Sequence, residues 1–447
     1  MRTHFKLLFF IVNIFLISSS INYATNKIVI YPTYTTEITQ NFVRTVNNNV
    51  ITIKKLPFGV LTDTIQIVKP LNIHSYSYSF DLDNQEKLFN KLSGKLFTIQ
   101  KDKVSTTYEF LYKDQDNMYF RKGSKIYLNP EGNIAFPTKG IAPSPYLSIQ
   151  LPKSKATKKS VDLSYRLDSI NTSIRYKAIF DEKAKKITIA PFLHIFNNSG
   201  YDFNNYQIEV VSGKPYFVNN GKPKYYSGNE RFKNFASVAD STEILAKRLD
   251  EFYKFPLKGK YNIKKGKLTA IPLFKSQTID AKKIIRYEAP RLYTKVQTIS
   301  KAERMNTIIQ FNNKTQSPLP AGTISVFSNG SLIGEHSIKA MSLNESQEIK
   351  YGKAFDLIAQ KTCLGTENIP KDRAIITEFS IKVSSFKKRI YLKNVEVIET
   401  LPGPDWTVVK SSHPYQHISA SKIKVLINIA PGTSQTIHYT LHRKNIK

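Results

Sequence analysis

Hydrophobic and polar residues alternate with a period of two along much of this chain. That is the pattern of strands that bury one face and expose the other. It is clear in NVITIKKL at 49–56, YQIEVVSG at 206–213, GTISVFSNGSLIGEHSI at 322–338, KNVEVIETL at 393–401 and KIKVLINIA at 422–430. Within the third of these, Asn329-Gly330 predicts a two-residue hairpin turn with positive φ at both residues. Short turn clusters separate the runs, as in stacked sheets rather than alternating strand–helix units. A proline–glycine corner opens a strand three times, as LPFG at 56–59, LPAG at 319–322 and APG at 430–432. Two stretches read as helical. Asp83 to Gly94 has an acidic cap at Asp83, apolar Leu88, Phe89 and Leu92, and a terminal glycine. Ser237 to Phe252 places Ile244, Leu245, Leu249 and Phe252 at helical spacing. The run of short strands after Gly94 predicts a small barrel.

The expected fold is therefore mainly β, with several β-sandwich domains and a small β-barrel-like insertion preceded by a short helix. The expected division is an N-terminal β region at 25–85, the insertion at 86–140, a central sandwich at 141–288 and a C-terminal sandwich at 289–447. Residues 1–24 read as a secretory signal: Arg2, His4 and Lys6 precede the apolar run Leu7 to Ile17, with cleavage after Ser20 or Ala24. That run is too short to span a bilayer, which takes roughly 20 residues. The expected destination is outside the cytoplasm, in the periplasm, at the cell surface or in the medium.

Composition changes this picture in two ways. The chain has 447 residues and one cysteine, Cys363, so no intramolecular disulfide is possible and stability must come from the cores. The formal net charge is +32, and loss of Arg2 and Lys6 with the leader would leave +30. Such an excess attracts polyanions. The densest clusters hold Lys153, Lys155, Lys158 and Lys159, and then Lys258, Lys260, Lys264, Lys265 and Lys267. They are the candidate polyanion-binding residues. An even spread of lysine through a lysine- and asparagine-rich composition is the competing explanation. No helix-turn-helix, zinc finger or RNA-recognition pattern is present, so nucleic acid is not an expected partner.

Candidate chemistry is sparse. No Gly-x-Ser-x-Gly elbow, Walker loop or dinucleotide fingerprint occurs. His413 and His417 have the i, i+4 spacing of zinc proteases, but Pro414 follows the first and no glutamate accompanies them. No metal or cofactor is expected. The stretch LPGPDWTVVKSSHPY at 401–415 contains the single tryptophan. It reads as a sandwich corner with Trp406, His413 and Tyr415 in structural roles, His413 hydrogen-bonding across the corner. A hydrolase of envelope polymers, built on His413 or Asp356, is the alternative.

Four blocks in order, LPAGTISVF, GKAFDL, VIETLPGPDWTVVKSSHPY and APGTSQTIHYTL, resemble the C-terminal part of the bacterial family called domain of unknown function 4139. Upstream segments such as SYRLDSINTSIRYKAIFD and FNNSGYDFNNYQIEVVSG resemble its opening. The resemblance covers roughly Ser164 to Leu441. It implies an exported β-rich protein with an immunoglobulin-like C-terminal sandwich, offers no catalytic residues to carry over, and favours strands where helical spacing precedes Phe252. The combined expectation is an exported, non-catalytic protein acting by surface interaction, with an unknown protein or an anionic envelope polymer as partner.

Overall fold

The structure is a computed structural model that describes residues 26–32, 35–69, 72–153, 157–213, 215–217, 246–292, 298–401 and 405–444, except the side chain of residue 372. The expected leader, Lys155, the Pro402-Gly403-Pro404 turn and residues 237–245 of the second expected helix lie outside these residues. The molecule is mainly β, with several sheets. Among the described residues no helix is long and apolar enough to cross a membrane.

The alternating runs form the strands that their period dictates. Val50–Lys54, Phe203–Ser212, Leu392–Thr400 and Lys422–Ile429 cover four of the five quoted segments. In the fifth, Asn329 and Gly330 turn with φ of 48° and 78° between Gly322–Ser328 and Ser331–Ile338. Each proline–glycine corner opens a strand, at Val60, Gly322 and Ser434.

One eight-stranded sheet is assembled from distant segments. Asn26–Ile30 runs parallel to Phe203–Ser212 and antiparallel to Thr36–Thr45, which pairs in turn with Lys158–Leu167. Ile28, Ile38, Leu163, Tyr165, Ile208 and Val210 face one core. A three-stranded sheet adds Ile51, Ile53, Leu147 and Ile149 to that core. Gln40, a polar residue in this core, is compensated: Tyr165 donates to Gln40 Oε1 at 2.6 Å, and Gln40 Nε2 donates to the Tyr206 hydroxyl.

The insertion follows Ser75–Ser79 and opens with the helix Gln85–Leu92. Its cap is Asn84, one residue later than expected, with Oδ1 accepting from Lys87 N at 3.1 Å. Asp81 instead binds inward, accepting from the Ala142 amide and pairing with Lys91, both at 2.6 Å. Five antiparallel strands follow, but the outer two, Lys125–Leu128 and Asn133–Ala135, do not pair with each other. The sheet therefore stays open instead of forming a barrel. Leu88 and Leu92 of the helix cover its apolar face at Phe97, Phe110 and Phe120, which makes closure unnecessary.

The second expected helix is overturned where it is described. Lys247–Leu249 and Phe252–Pro256 are antiparallel strands joined at Asp250 and Glu251. Leu249 and Phe252, three apart, would share a helix face; a tight hairpin brings the same two residues opposite each other.

The C-terminal sandwich has two facing layers. Glu303–Asn312, Ser346–Ile369, Ala374–Ser385, Ser434–Arg443 and Trp406–Ser411 form one. Leu392–Thr400, Lys422–Ile429 and Tyr415–Ser419 form the other. Their shared core includes Leu357, Cys363, Ile381, Val397, Val425 and Ile437. The strand Gln277–Glu288 belongs to more than one layer. Its first part pairs with Lys186–Asn197, its middle with Glu303–Asn312, and its end runs parallel to Leu392–Thr400.

A buried asparagine closes the strand end twice, in the same way. Asn197 Nδ2 donates to the carbonyls of Tyr201 and Ile263, and its Oδ1 accepts from the amide and hydroxyl of Ser199. Asn313 Nδ2 donates to the carbonyls of Ser317 and Ser342, and its Oδ1 accepts from the amide and hydroxyl of Thr315. Both belong to an FNN segment, Asn197 as the second residue of 196–198 and Asn313 as the third of 311–313. Each asparagine is 0% exposed and uses both donors and its acceptor. Asn313→Ala should strand these partners and lower stability by about 2–4 kcal/mol, taking about 1 kcal/mol per lost bond plus desolvated groups. Asn313→Asp should lose nearly as much, because the two carbonyls would face a carboxylate. Thermal or denaturant unfolding of both variants measures this, and wild-type stability of either would contradict it.

Candidate functional site

The lysine clusters are placed by sheet register. Lys158 pairs with Thr45, five residues beyond Gln40, which pairs with Asn26. On the other side, Tyr206 and Phe203 pair with Tyr261 and Ile263, so Lys264 and Lys265 emerge just past that same end of the sheet. Four strand steps of about 4.8 Å separate the two groups, roughly 19 Å. Lys158, Lys264 and Lys265 are exposed and Lys159 is partly so. Lys264 pairs with Asp202 at 3.6 Å and donates to Asn204 at 2.8 Å. The other members do not gather as closely. Lys153, five residues before Lys158 in sequence, is exposed. Lys258 and Lys260 precede Tyr261–Ile263 and so lie toward its other end, and Lys267 adjoins the Asn197 plug through its carbonyl. Arg44, the register partner of Lys159, joins the basic end without having been singled out from the sequence. The signal was its place at the end of an alternating run.

The Trp406 segment crosses from one layer to the other. Trp406–Ser411 is the edge of the first and Tyr415–Ser419 the edge of the second. Trp406 Nε1 donates to the Ala420 carbonyl at 2.9 Å, and its ring stacks on His417 at 5.4 Å. Tyr415 meets His417 edge-on at 5.5 Å. His413 does not reach across the corner. Its Nδ1 shares a hydrogen bond with the adjacent Ser412 hydroxyl at 2.8 Å, and that hydroxyl accepts from the His438 amide across the turn. His413 and His417 thus face different partners. Among the described residues, no group of three or more His, Cys, Asp or Glu side chains is arranged to hold a metal.

Asp356 faces Lys387 at 3.9 Å. A surface cavity of about 330 Å³ is lined by residues 274–278 with Gln316 and Ser317. Lys275 is its one ionisable side chain, and neither His413 nor Asp356 lines it.

Two charged clusters that the sequence reading passed over sit on one strand. Leu392–Thr400 is buried on both faces from Val395 to Glu399. On one face Glu396 accepts from Arg286 Nε at 2.7 Å, while the same guanidinium grips both oxygens of Glu348 at 2.6 and 2.8 Å. Arg286 holds the Glu348 carboxyl below the ordinary glutamate range. On the other face, inside the sandwich, Glu399 Oε1 meets Lys361 Nζ at 2.7 Å, with side chains only 4% and 2% exposed. Lys361 also donates to the Pro290 carbonyl at 3.3 Å and stands 4.3 Å over the Phe379 ring. Phe379 stacks on Tyr439 at 5.2 Å. Glu399 Oε2 has no hydrogen-bond partner of good geometry. Burial pushes the Glu399 carboxyl up despite Lys361, and it pushes the Tyr439 hydroxyl well above its ordinary value, aided by Glu399.

Alternation alone contained the clue. Lys361 shares its face with Leu357, Ala359 and Cys363, and Glu399 shares its face with Val395, Val397 and Leu401. No protein-family model and no curated protein matches the chain.

Arg286→Leu should cost about 3 kcal/mol, because it leaves Glu396 buried with no cation. The Glu348 contribution has a defined sign. Its folded pKa is lowered, so its stabilisation is present above the unfolded value near 4.5 and is lost as pH falls through the folded value. Wild type should therefore lose stability on acidification below that range more steeply than Glu348→Gln. Unfolding midpoints measured across pH test both statements.

Proposed function

We propose that this chain is an exported, non-catalytic β protein that binds an anionic polymer of the cell envelope through the basic end of its eight-stranded sheet. The observation that carries the reading is the arrival of Lys158, Lys159 and Arg44 at the same sheet end as Lys264 and Lys265, from segments about a hundred residues apart in sequence. The overall charge of +32 supports it by drawing polyanions from a distance. The leader-like N-terminus and the resemblance to an exported family supply the setting. Charges some 19 Å apart on a stiff sheet suit an extended polymer better than a small anion, because several phosphates or carboxylates along one chain engage at once. Release of condensed counterions would then make binding strongly salt-dependent.

Heparin serves as the probe. Wild type should be retained on a heparin column and released over a narrow range of raised salt. Reversal of four charges at the basic end (Lys158→Glu, Lys159→Glu, Lys264→Glu and Lys265→Glu) should abolish most of that retention. A control with the same charge change elsewhere (Lys103→Glu, Lys125→Glu, Lys388→Glu and Arg389→Glu) should keep most of it. Equal losses in the two variants would leave net charge as the whole effect and remove the site.

A further inference from the structure

We propose that Lys361 and Glu399 become joined by an amide bond between Lys361 Nζ and Glu399 Cδ, a covalent staple between the two layers of the C-terminal sandwich.

The case rests on geometry and on the partners present. Nζ lies 2.7 Å from Oε1, which brings the amine within reach of the carboxyl carbon in a site closed to water. A stable ion pair at this depth needs its remaining donors and lone pairs satisfied. The ammonium has three donors, yet the polar atoms that receive them are Oε1 and the Pro290 carbonyl. The carboxylate has two oxygens, and Oε2 makes no hydrogen bond of good geometry, although the Tyr439 hydroxyl interacts with the carboxyl. An amide asks for less. Its single N–H would have the Pro290 carbonyl, and its single oxygen would have the Tyr439 hydroxyl, which already interacts with Glu399. The surroundings fit a secondary amide better than two separated charges.

The step balances without a co-reactant. In the dry core a proton passes from the Lys361 ammonium to Glu399, giving neutral amine and neutral acid. The upward push of burial on the Glu399 carboxyl favours that acid form. The nitrogen lone pair attacks Cδ, forming the C–N bond. The nitrogen sheds a second proton, which reaches the departing hydroxyl with Tyr439 positioned to relay it. The C–O bond breaks and one water leaves. Nothing is oxidised or reduced. Phe379 and Tyr439, stacked beside the pair, keep out the water that would reverse the reaction. The link would span 38 residues of sequence in a chain whose one cysteine excludes a disulfide of its own.

Mass spectrometry of the full-length protein purified from its cells, reduced and denatured, tests this. Wild type should be lighter by one water than its sequence requires. Trypsin should fail to cut after Lys361, and the peptide containing it should be recovered attached to the peptide 394–410 that contains Glu399. Lys361→Arg, which can keep the ion pair but cannot form this amide, and Glu399→Ala should each restore the full sequence mass. Ordinary cleavage after Lys361 with a linear 394–410 peptide in wild type would overturn the proposal. So would a deficit of one water that persists in both variants.

Discussion

Most of the described strands bury alternate side chains, and an inward position is therefore apolar or needs a polar partner. That constraint shapes the rest. Where it is met with isoleucine, leucine, valine and phenylalanine, layers simply stack, as in the cores around Ile28 and around Val397. Where it is met with polar groups, the compensation is specific and local: Gln40 between two tyrosines, an asparagine plug at two strand ends, Arg286 between two glutamates and Lys361 against Glu399. These polar positions have one thing in common. Each ties together segments that are remote in sequence, and each would be costly if only one partner were present.

The long strand Gln277–Glu288 gives this network its mechanical role. Hydrogen bonding alone already links it to Lys186–Asn197, Glu303–Asn312 and Leu392–Thr400. Near its end, Arg286 holds Glu396 on the adjacent strand Leu392–Thr400 and Glu348 on Ser346–Ile369, one strand beyond Glu303–Asn312. One strand later, Glu399 reaches across the sandwich interior to Lys361. The bridging strand and the pair inside the sandwich thus act in series. The first sets where the two layers meet, and the second sets how far apart they stand.

Much of this was legible from the period of the sequence, and some was not, for physical reasons. Strand identity follows from alternation, and the Asn329-Gly330 turn from the positive φ that its two residues tolerate. The open insertion sheet was not legible as open, because whether a helix or further strand pairing covers Phe97 and Phe110 is decided by tertiary contacts. The Leu249–Phe252 spacing misled because a helix and a tight hairpin bring the same two residues together. Of the lysine clusters, composition located the segments, but only the parallel pairing of Asn26–Ile30 with Phe203–Ser212 determines which lysines reach one end. His413 was overrated at its corner: the hydroxyl of Ser412 carries the link to the opposite strand. Lys361 and Glu399 are charges at inward positions of alternating runs, and each looks like an isolated anomaly until the facing layer is known.

The distribution of charge connects the interior to the surface. The chain carries 66 basic and 34 acidic side chains, so an acid drawn inward without a cation would leave the outer field more positive. Glu396 and Glu399 are drawn inward by Arg286 and Lys361, and Asp81 is buried against Lys91 and the Ala142 amide. At the basic sheet end, Asp202 remains beside Lys264. Burying an acid with its own cation is electrically neutral for the surface as a whole, yet it removes a carboxylate that would otherwise screen exposed lysines nearby. An interior that uses acids as structural partners and a surface rich in lysine are thus two consequences of one allocation. The same substitutions that would make the core more ordinary, replacing these pairs by apolar residues, would leave the outer field almost unchanged. Stability and polyanion attraction are for that reason separable in this fold, even though both depend on where a few carboxylates are placed.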